Sequence, residues 1–177
     1  MPSFGELFIE SKGQPIHYNG NELRLADKFP VENGDKLVIC IESTNSTRPQ
    51  GVSITIEGSC EIMGTICKKG KKVKPLFWED SEILDPKHME ITIFTKKGFV
   101  WIQNICEIEY SYLVTDANGA PVEVRKKRVD ASHNGAAMIV EEIEGGRRYR
   151  CSDTSSADKE FPFKNIVFTV RNLKTDS

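Results

Sequence analysis

The sequence predicts an all-β fold: one antiparallel β-sandwich, jelly-roll or immunoglobulin-like, of about ten strands over residues 1–177. Three observations carry this. Apolar and polar residues alternate with period two in run after run. Turn formers punctuate those runs at short intervals. No stretch of ten or more residues shows helical periodicity.

Each strand can be justified in order. In "KLVICIES", Leu37, Ile39 and Ile41 share one face. In "GVSITIEG", Val52, Ile54 and Ile56 point one way, and Ser53, Thr55 and Glu57 the other. "HMEITIFTK" repeats the pattern with Met89, Ile91 and Ile93, and "NIVFTVRN" with Ile166, Phe168 and Val170. Asn19-Gly20, Asn33-Gly34, Lys69-Gly70, Lys97-Gly98, Asn118-Gly119 and Gly145-Gly146 fall between such runs. Asn-Gly favours tight hairpins because both central residues of a type I′ turn need positive φ. "DKFPVENGDKL" holds one short helical turn at most. Ser152 to Pro162, small and polar, reads as a surface loop, and residues 172–177 as a frayed tail.

Composition narrows the function. With 24 basic and 26 acidic residues the net charge is −2, which argues against nucleic-acid binding through phosphate contacts. No apolar run approaches the roughly 20 residues of a membrane span. The opening "MPSFGELFIESKGQPIHYNG" lacks a basic region followed by an apolar run, so no export signal is read. An odd number of cysteines, Cys40, Cys60, Cys67, Cys106 and Cys151, then points to free thiols and a cytoplasmic protein.

The run Gly98 to Asp130, "GFVWIQNICEIEYSYLVTDANGAPVEVRKKRVD", is the most aromatic and most charged in the chain. From Cys106 onward, Ile108, Tyr110, Tyr112 and Val114 read as the core face, with Glu107, Glu109 and Ser111 on the wet face. A straight strand leaves Trp101 on that wet face beside Gln103. A bulge near Gln103-Asn104 would flip the phase and bury it, and large aromatics are mostly buried. An exposed Trp with polar neighbours is how a sugar ring is stacked and oriented. Turning at Asn118-Gly119, the hairpin should pair Glu109 with Arg128, Tyr110 with Lys127 and Tyr112 with Arg125, to within a residue. The basic run Arg125–Arg128 then has a structural explanation, which includes protecting a sheet edge.

Catalytic and metal signatures are sparse. Cys60 and Cys67 are too far apart for a zinc pair, and the three histidines stand alone in sequence. Cys151, His133 and Asp153 could be imagined as a nucleophile, base and orienting acid. No nucleophile elbow, phosphate loop or dinucleotide fingerprint occurs, and no cofactor or metal is implied. The leading expectation is a non-catalytic binding or interaction module for a carbohydrate or similar polar molecule. Its surface would comprise Trp78, Trp101, Gln103, Tyr110 and Arg125. A self-assembling structural protein, forming homo-oligomers through opposed charged patches, is the alternative. The basic "KKGKKVK" and acidic "WEDSEILD" runs motivate it. A Cys-dependent enzyme is the third.

Overall fold

The computed structural model describes residues 3–131, 136–153 and 163–174. Its antiparallel sheets pack together as an all-β sandwich. In the first sheet, β11 (Pro121–Asp130), β10 (Phe99–Thr115), β5 (Gln50–Thr55) and β8 (Leu76–Trp78) follow in that order, and β3 (Asp27–Pro30) also pairs with β10. The second runs β12 (Ala137–Ile143), β13 (Gly146–Ser152), β14 (Ile166–Asn172), β4 (Lys36–Thr44), β9 (Met89–Thr95), β6 (Gly58–Ile62), β7 (Thr65–Cys67). A small hairpin, β1 (Ile16–Tyr18) with β2 (Asn21–Leu23), forms its own two-stranded sheet and is joined to β12 where Arg24 and Met138 exchange backbone hydrogen bonds.

The alternation read in the sequence places the core. Val52, Ile54, Phe77, Val100 and Ile102 from the first sheet meet Leu37, Ile39, Ile91, Ile93, Phe168 and Val170 from the second in one buried cluster. Tyr149 stacks on Phe168 at 4.7 Å between ring centroids within that core. Its hydroxyl donates to the buried carboxylate of Asp27 at 2.6 Å, which also accepts from Arg24 at 2.6 Å and Arg147 at 2.8 Å. The acidic and basic residues of the β12–β13 hairpin pair internally: Glu142 with Arg147 at 2.7 Å and Glu141 with Arg148 at 3.3 Å.

One helix forms, shorter than the ten residues over which the sequence shows no helical periodicity. Phe4–Glu10 forms α1, with Ser3 as N-cap. The Ser3 hydroxyl accepts from the Glu6 amide, and the Glu6 carboxylate accepts from the Ser3 amide, a reciprocal capping box. Phe4 and Phe8, one turn apart, bury against Leu23 and Ala137 as a second, smaller cluster. The segment read as a possible helical turn contains β3 instead. At the C-terminal end, Asn172 belongs to β14, and the Leu173 amide donates to the Lys36 carbonyl, so the ordered strand runs further than the frayed-tail reading allowed.

One strand dominates the shape. β10 pairs with β3 over Phe99–Ile102 and with β5 over Trp101–Cys106. It pairs with β11 over Cys106–Thr115. Because Trp101 and Cys106 each have partners on both sides, β3 and β11 occupy the same edge of β10 in succession. Among the described residues, β11 is the only strand beside β10 beyond Cys106, and the sheet narrows to a two-stranded ribbon. Cys106 to Thr115 spans about 30 Å of extended chain.

Candidate functional site

β10 pairs without a break in register from Phe99 to Thr115, so its side chains keep one phase throughout. No bulge occurs near Gln103-Asn104, and Trp101 is not buried: it is 41% exposed. The neighbouring strands explain this. Trp101 lies between Lys28 and Thr55 in register, neither of which is a large apolar residue that could bury it. Phe99 meets the indole edge-on at 5.7 Å, and the Lys28 ammonium sits 4.1 Å from the Phe99 ring centre.

Gln103 and Trp78 share that outer face. The Gln103 amide donates to the Ala131 carbonyl at 2.9 Å. Trp78 pairs with Gly51, and its ring lies across the glycine. A β-carbon built on Gly51 would sit 2.8 Å from the indole and 3.2 Å from Ile105. Glycine is therefore required for the half-buried Trp78 to shield Ile105. Strand spacings set the two α-carbons about 16 Å apart, so the two tryptophans are not neighbours on the sheet.

The remaining two residues of the expected patch lie elsewhere. Tyr110 has the opposite parity to Trp101 and so faces the other side of the sheet. Arg125 pairs with Ser111, about 33 Å along the strand from Trp101. The five residues do not form one surface.

The hairpin register is one residue away from the central expectation. Glu109 faces Lys127, Tyr110 faces Lys126, and Tyr112 faces Val124. Thr115 and Pro121 flank a longer connection, Asp116–Ala120, in place of a two-residue Asn118-Gly119 turn. The Asp116 carboxylate holds it by accepting from the amides of Asn118 at 2.8 Å and Ala120 at 2.9 Å.

The feature that sequence reasoning missed is the exposure of this ribbon. Ile108, Tyr110, Tyr112 and Val114 continue the inward-facing row of β10, as expected, yet the second sheet does not extend beneath them. Tyr110 and Tyr112 are each exposed, as are Val114 and Val122. The two tyrosine rings stack at 6.3 Å, and Arg128 lies 5.7 Å from the Tyr110 ring centre.

Charge divides between the ribbon's faces. On the outer face Lys127 pairs with Glu107 at 3.7 Å and Arg125 with Glu123 at 3.5 Å. On the aromatic face Lys126 and Arg128 stand among Tyr110, Tyr112 and Val124 with no acidic neighbour in register. Among the described residues neither takes part in an ion pair. That face is aromatic and carries two uncompensated cations.

Buried hydrogen bonds anchor the ribbon's root. The Asn104 amide donates to the Ser152 carbonyl at 3.1 Å, joining β10 to the end of β13. The Gln50 amide donates to the Asp153 carboxylate at 2.9 Å, as does the Ser46 hydroxyl at 2.7 Å. Asp153 thus carries the polar plug at this end of the sandwich. Cys151 lies fully buried in the core, and burial raises its thiol well above the ordinary range, which disfavours a thiolate nucleophile. His133, the base of the imagined triad, lies outside the described residues.

Other concavities are open to solvent. The most basic, a groove of about 560 Å³, is lined by Lys68, Lys71, Lys96 and Lys97, with Glu57 held 3.8 Å from Lys97. All five cysteines are free. Among the described residues no helix is long and apolar enough to cross a membrane. No protein-family model matches the chain, and no curated protein or solved structure matches it either.

Proposed function

We propose that this chain is a non-catalytic interaction module that works by protein–protein contact and assembles through its projecting β10–β11 ribbon. One observation carries the reading. The inward-facing row of a core strand continues past the end of the sandwich as an exposed aromatic face, with Tyr110, Tyr112, Val114 and Val122 each at least 40% exposed. Contiguous apolar surface of this kind costs solubility unless it is covered in use. Tyrosine and arginine are also the residues enriched where proteins bind one another. A concavity on the ribbon, about 260 Å³ lined by Glu109, Tyr110, Ser111, Glu123 and Arg125, is shallow. Such an exposed face suits a protein surface better than a small molecule, which needs an enclosing site to lose most of its hydration.

The test compares the full chain with a variant in which residues 109–127 are replaced by a short turn. Sedimentation at increasing concentration should show association for the full chain and its loss in the shortened one. Equal behaviour of the two, as monomers at millimolar concentration, would remove the assembly reading.

Carbohydrate recognition keeps one supporting observation, the exposed Trp101 beside Gln103. A thermal-shift panel of mono- and oligosaccharides tests it. A ligand at 100 times its dissociation constant would raise stability by about 2.7 kcal/mol. A rise confined to one sugar class and lost in Trp101→Ala would support a single stacking platform, and no rise with any sugar would count against it.

A further inference from the structure

We infer that the ribbon's partner is a second copy of this chain, and that the ribbon of one copy seats on the acidic loop 79–85 of the next. This rests on the assembly reading and gives it an acceptor surface. Lys126 and Arg128, the two cations left over on the aromatic face, define what the acceptor must supply. It needs two carboxylates that are not already neutralised, close to an apolar group for the tyrosines.

The loop after β8 offers that set. Asp80 and Glu82 are exposed, and among the described residues neither is in an ion pair. Ile83 beside them is 79% exposed. The Ser81 hydroxyl accepts from the amides of Ile83 at 3.3 Å and Leu84 at 3.1 Å, and this turn holds Ile83 outward. Two uncompensated anions beside an exposed isoleucine thus complement two uncompensated cations beside exposed tyrosines. Glu141 and Glu142 engage Arg148 and Arg147, and Glu42 engages Arg148, so these three carboxylates are less available.

Placement favours a contact between copies. β11 and β8 form opposite edges of the same sheet, so donor and acceptor surfaces sit on different sides of the molecule. No hydrogen bond or ion pair joins them within the described residues. A contact between two different surfaces is heterologous: it repeats head to tail, and closes as a ring or grows as a filament.

Charge exchange tests the pairing directly, on the full chain. The ribbon variant Lys126→Glu/Arg128→Glu and the loop variant Asp80→Lys/Glu82→Lys should each self-associate at least about tenfold more weakly than the parent. Mixed in equal amounts they should associate again, because each ribbon now meets an opposite loop. The chain carrying all four substitutions should associate alone. All the sites are exposed, so unchanged thermal midpoints confirm folding. Undiminished association of the ribbon variant, or a mixture that stays dissociated, overturns the loop as acceptor. If removing residues 109–127 still abolishes association in that case, the assembly reading stands with a different acceptor. If the parent chain is monomeric throughout, both fall together.

Discussion

Trp101 and Tyr110 lie on one unbroken strand and face opposite sides of the same sheet. The odd interval between them, with no bulge to absorb it, separates what could have been a single aromatic patch into two surfaces. One is the outer face over the sandwich, and the other is the underside of a ribbon with no sandwich below it.

Fluorescence should register this division. Trp101 is open to water, whereas Trp78 is held across Gly51 and Ile105. Acrylamide should quench the longer-wavelength part of the emission, and Trp101→Phe should remove that part while leaving the blue component. Equal quenching before and after the substitution would contradict the exposure of Trp101.

The ribbon should contribute little to the stability of the domain. Substitutions at exposed positions usually change stability by no more than about 0.5 kcal/mol. Tyr110→Ser with Tyr112→Ser should therefore leave the unfolding midpoint within about 2–4 °C of the parent. A much larger fall would mean that the ribbon packs on the body and would weaken its reading as a free docking face.

Asp27 is the opposite case. Its carboxylate is fully buried and holds Arg24, Arg147 and Tyr149 together. Asp27→Ala leaves partly buried guanidinium groups and a buried phenol without their acceptor. Breaking a buried ion pair from one side costs about 3–5 kcal/mol. The midpoint should fall by about 10 °C, against a smaller loss for Tyr149→Phe. Similar small effects for both would show that water replaces the carboxylate.

Two glutamates give pH dependence of opposite sign. Arg148 hydrogen-bonds Glu42 and holds its carboxyl below the usual range. That stabilisation is present above the ordinary glutamate value and is lost as pH falls through the lowered one. Desolvation raises Glu79 instead, so its charged form destabilises the fold at neutral pH and protonation relieves this as pH falls. Glu42→Gln should reduce stability at neutral pH and flatten the acid side of the stability curve. Glu79→Gln should raise the midpoint at pH 7 and change little in acid. Denaturant titrations across pH 3–8 would show whether the two curves diverge in this sense.

Cys60 and Cys67 face each other across the β6–β7 hairpin. Met63 and Gly64 both take positive φ at its tip, as in a type I′ turn. Hydrogen-bonded antiparallel pairs separate α-carbons by about 5.5 Å and the alternate pairs by about 4.5 Å, and both lie within the span of a disulfide. Burial and the neighbouring Cys67 push the Cys60 thiol up to about 12, so the more accessible Cys67 should react first. With oxidised glutathione, the Cys67 thiolate displaces one glutathione. Cys60 then loses its proton and displaces the second, closing the disulfide. Intact mass should show the loss of two hydrogens in the parent and one retained glutathione in Cys60→Ser. A retained glutathione in the parent would mean that the pair is held too far apart.

Much of the fold was legible because alternation reports which side of a strand is apolar. Val52, Ile54 and Ile56, and likewise Met89, Ile91 and Ile93, are buried as their periodicity required. The same signal could not tell where the sandwich stops. Ile108, Tyr110, Tyr112 and Val114 alternate as well as any core strand, but burial depends on the opposing sheet, which their own sequence does not encode. The helix was hidden by its length, since seven residues show barely two turns of period; Ser3 and Glu6 with Phe4 and Phe8 were the available signs. The hairpin register turned on Asp116, whose carboxylate stabilises a five-residue connection where Asn118-Gly119 alone suggests a two-residue one. Of the candidate site, the residue types were legible; their distribution over two faces depended on an unbroken strand.

The anchored root has a mechanical consequence. A load at Asn118 acts on a cantilever whose fixed end is β10 itself, continuous from the tip into the body. Tension along the strand would be shared in shear by the six register pairs between Trp101–Cys106 and β5, while the Asn104 and Gln50 hydrogen bonds brace the root against bending. Shear loads many bonds at once, whereas a hinged loop would yield one bond at a time. A pull on the ribbon tip would therefore be transmitted into the core rather than bend the joint.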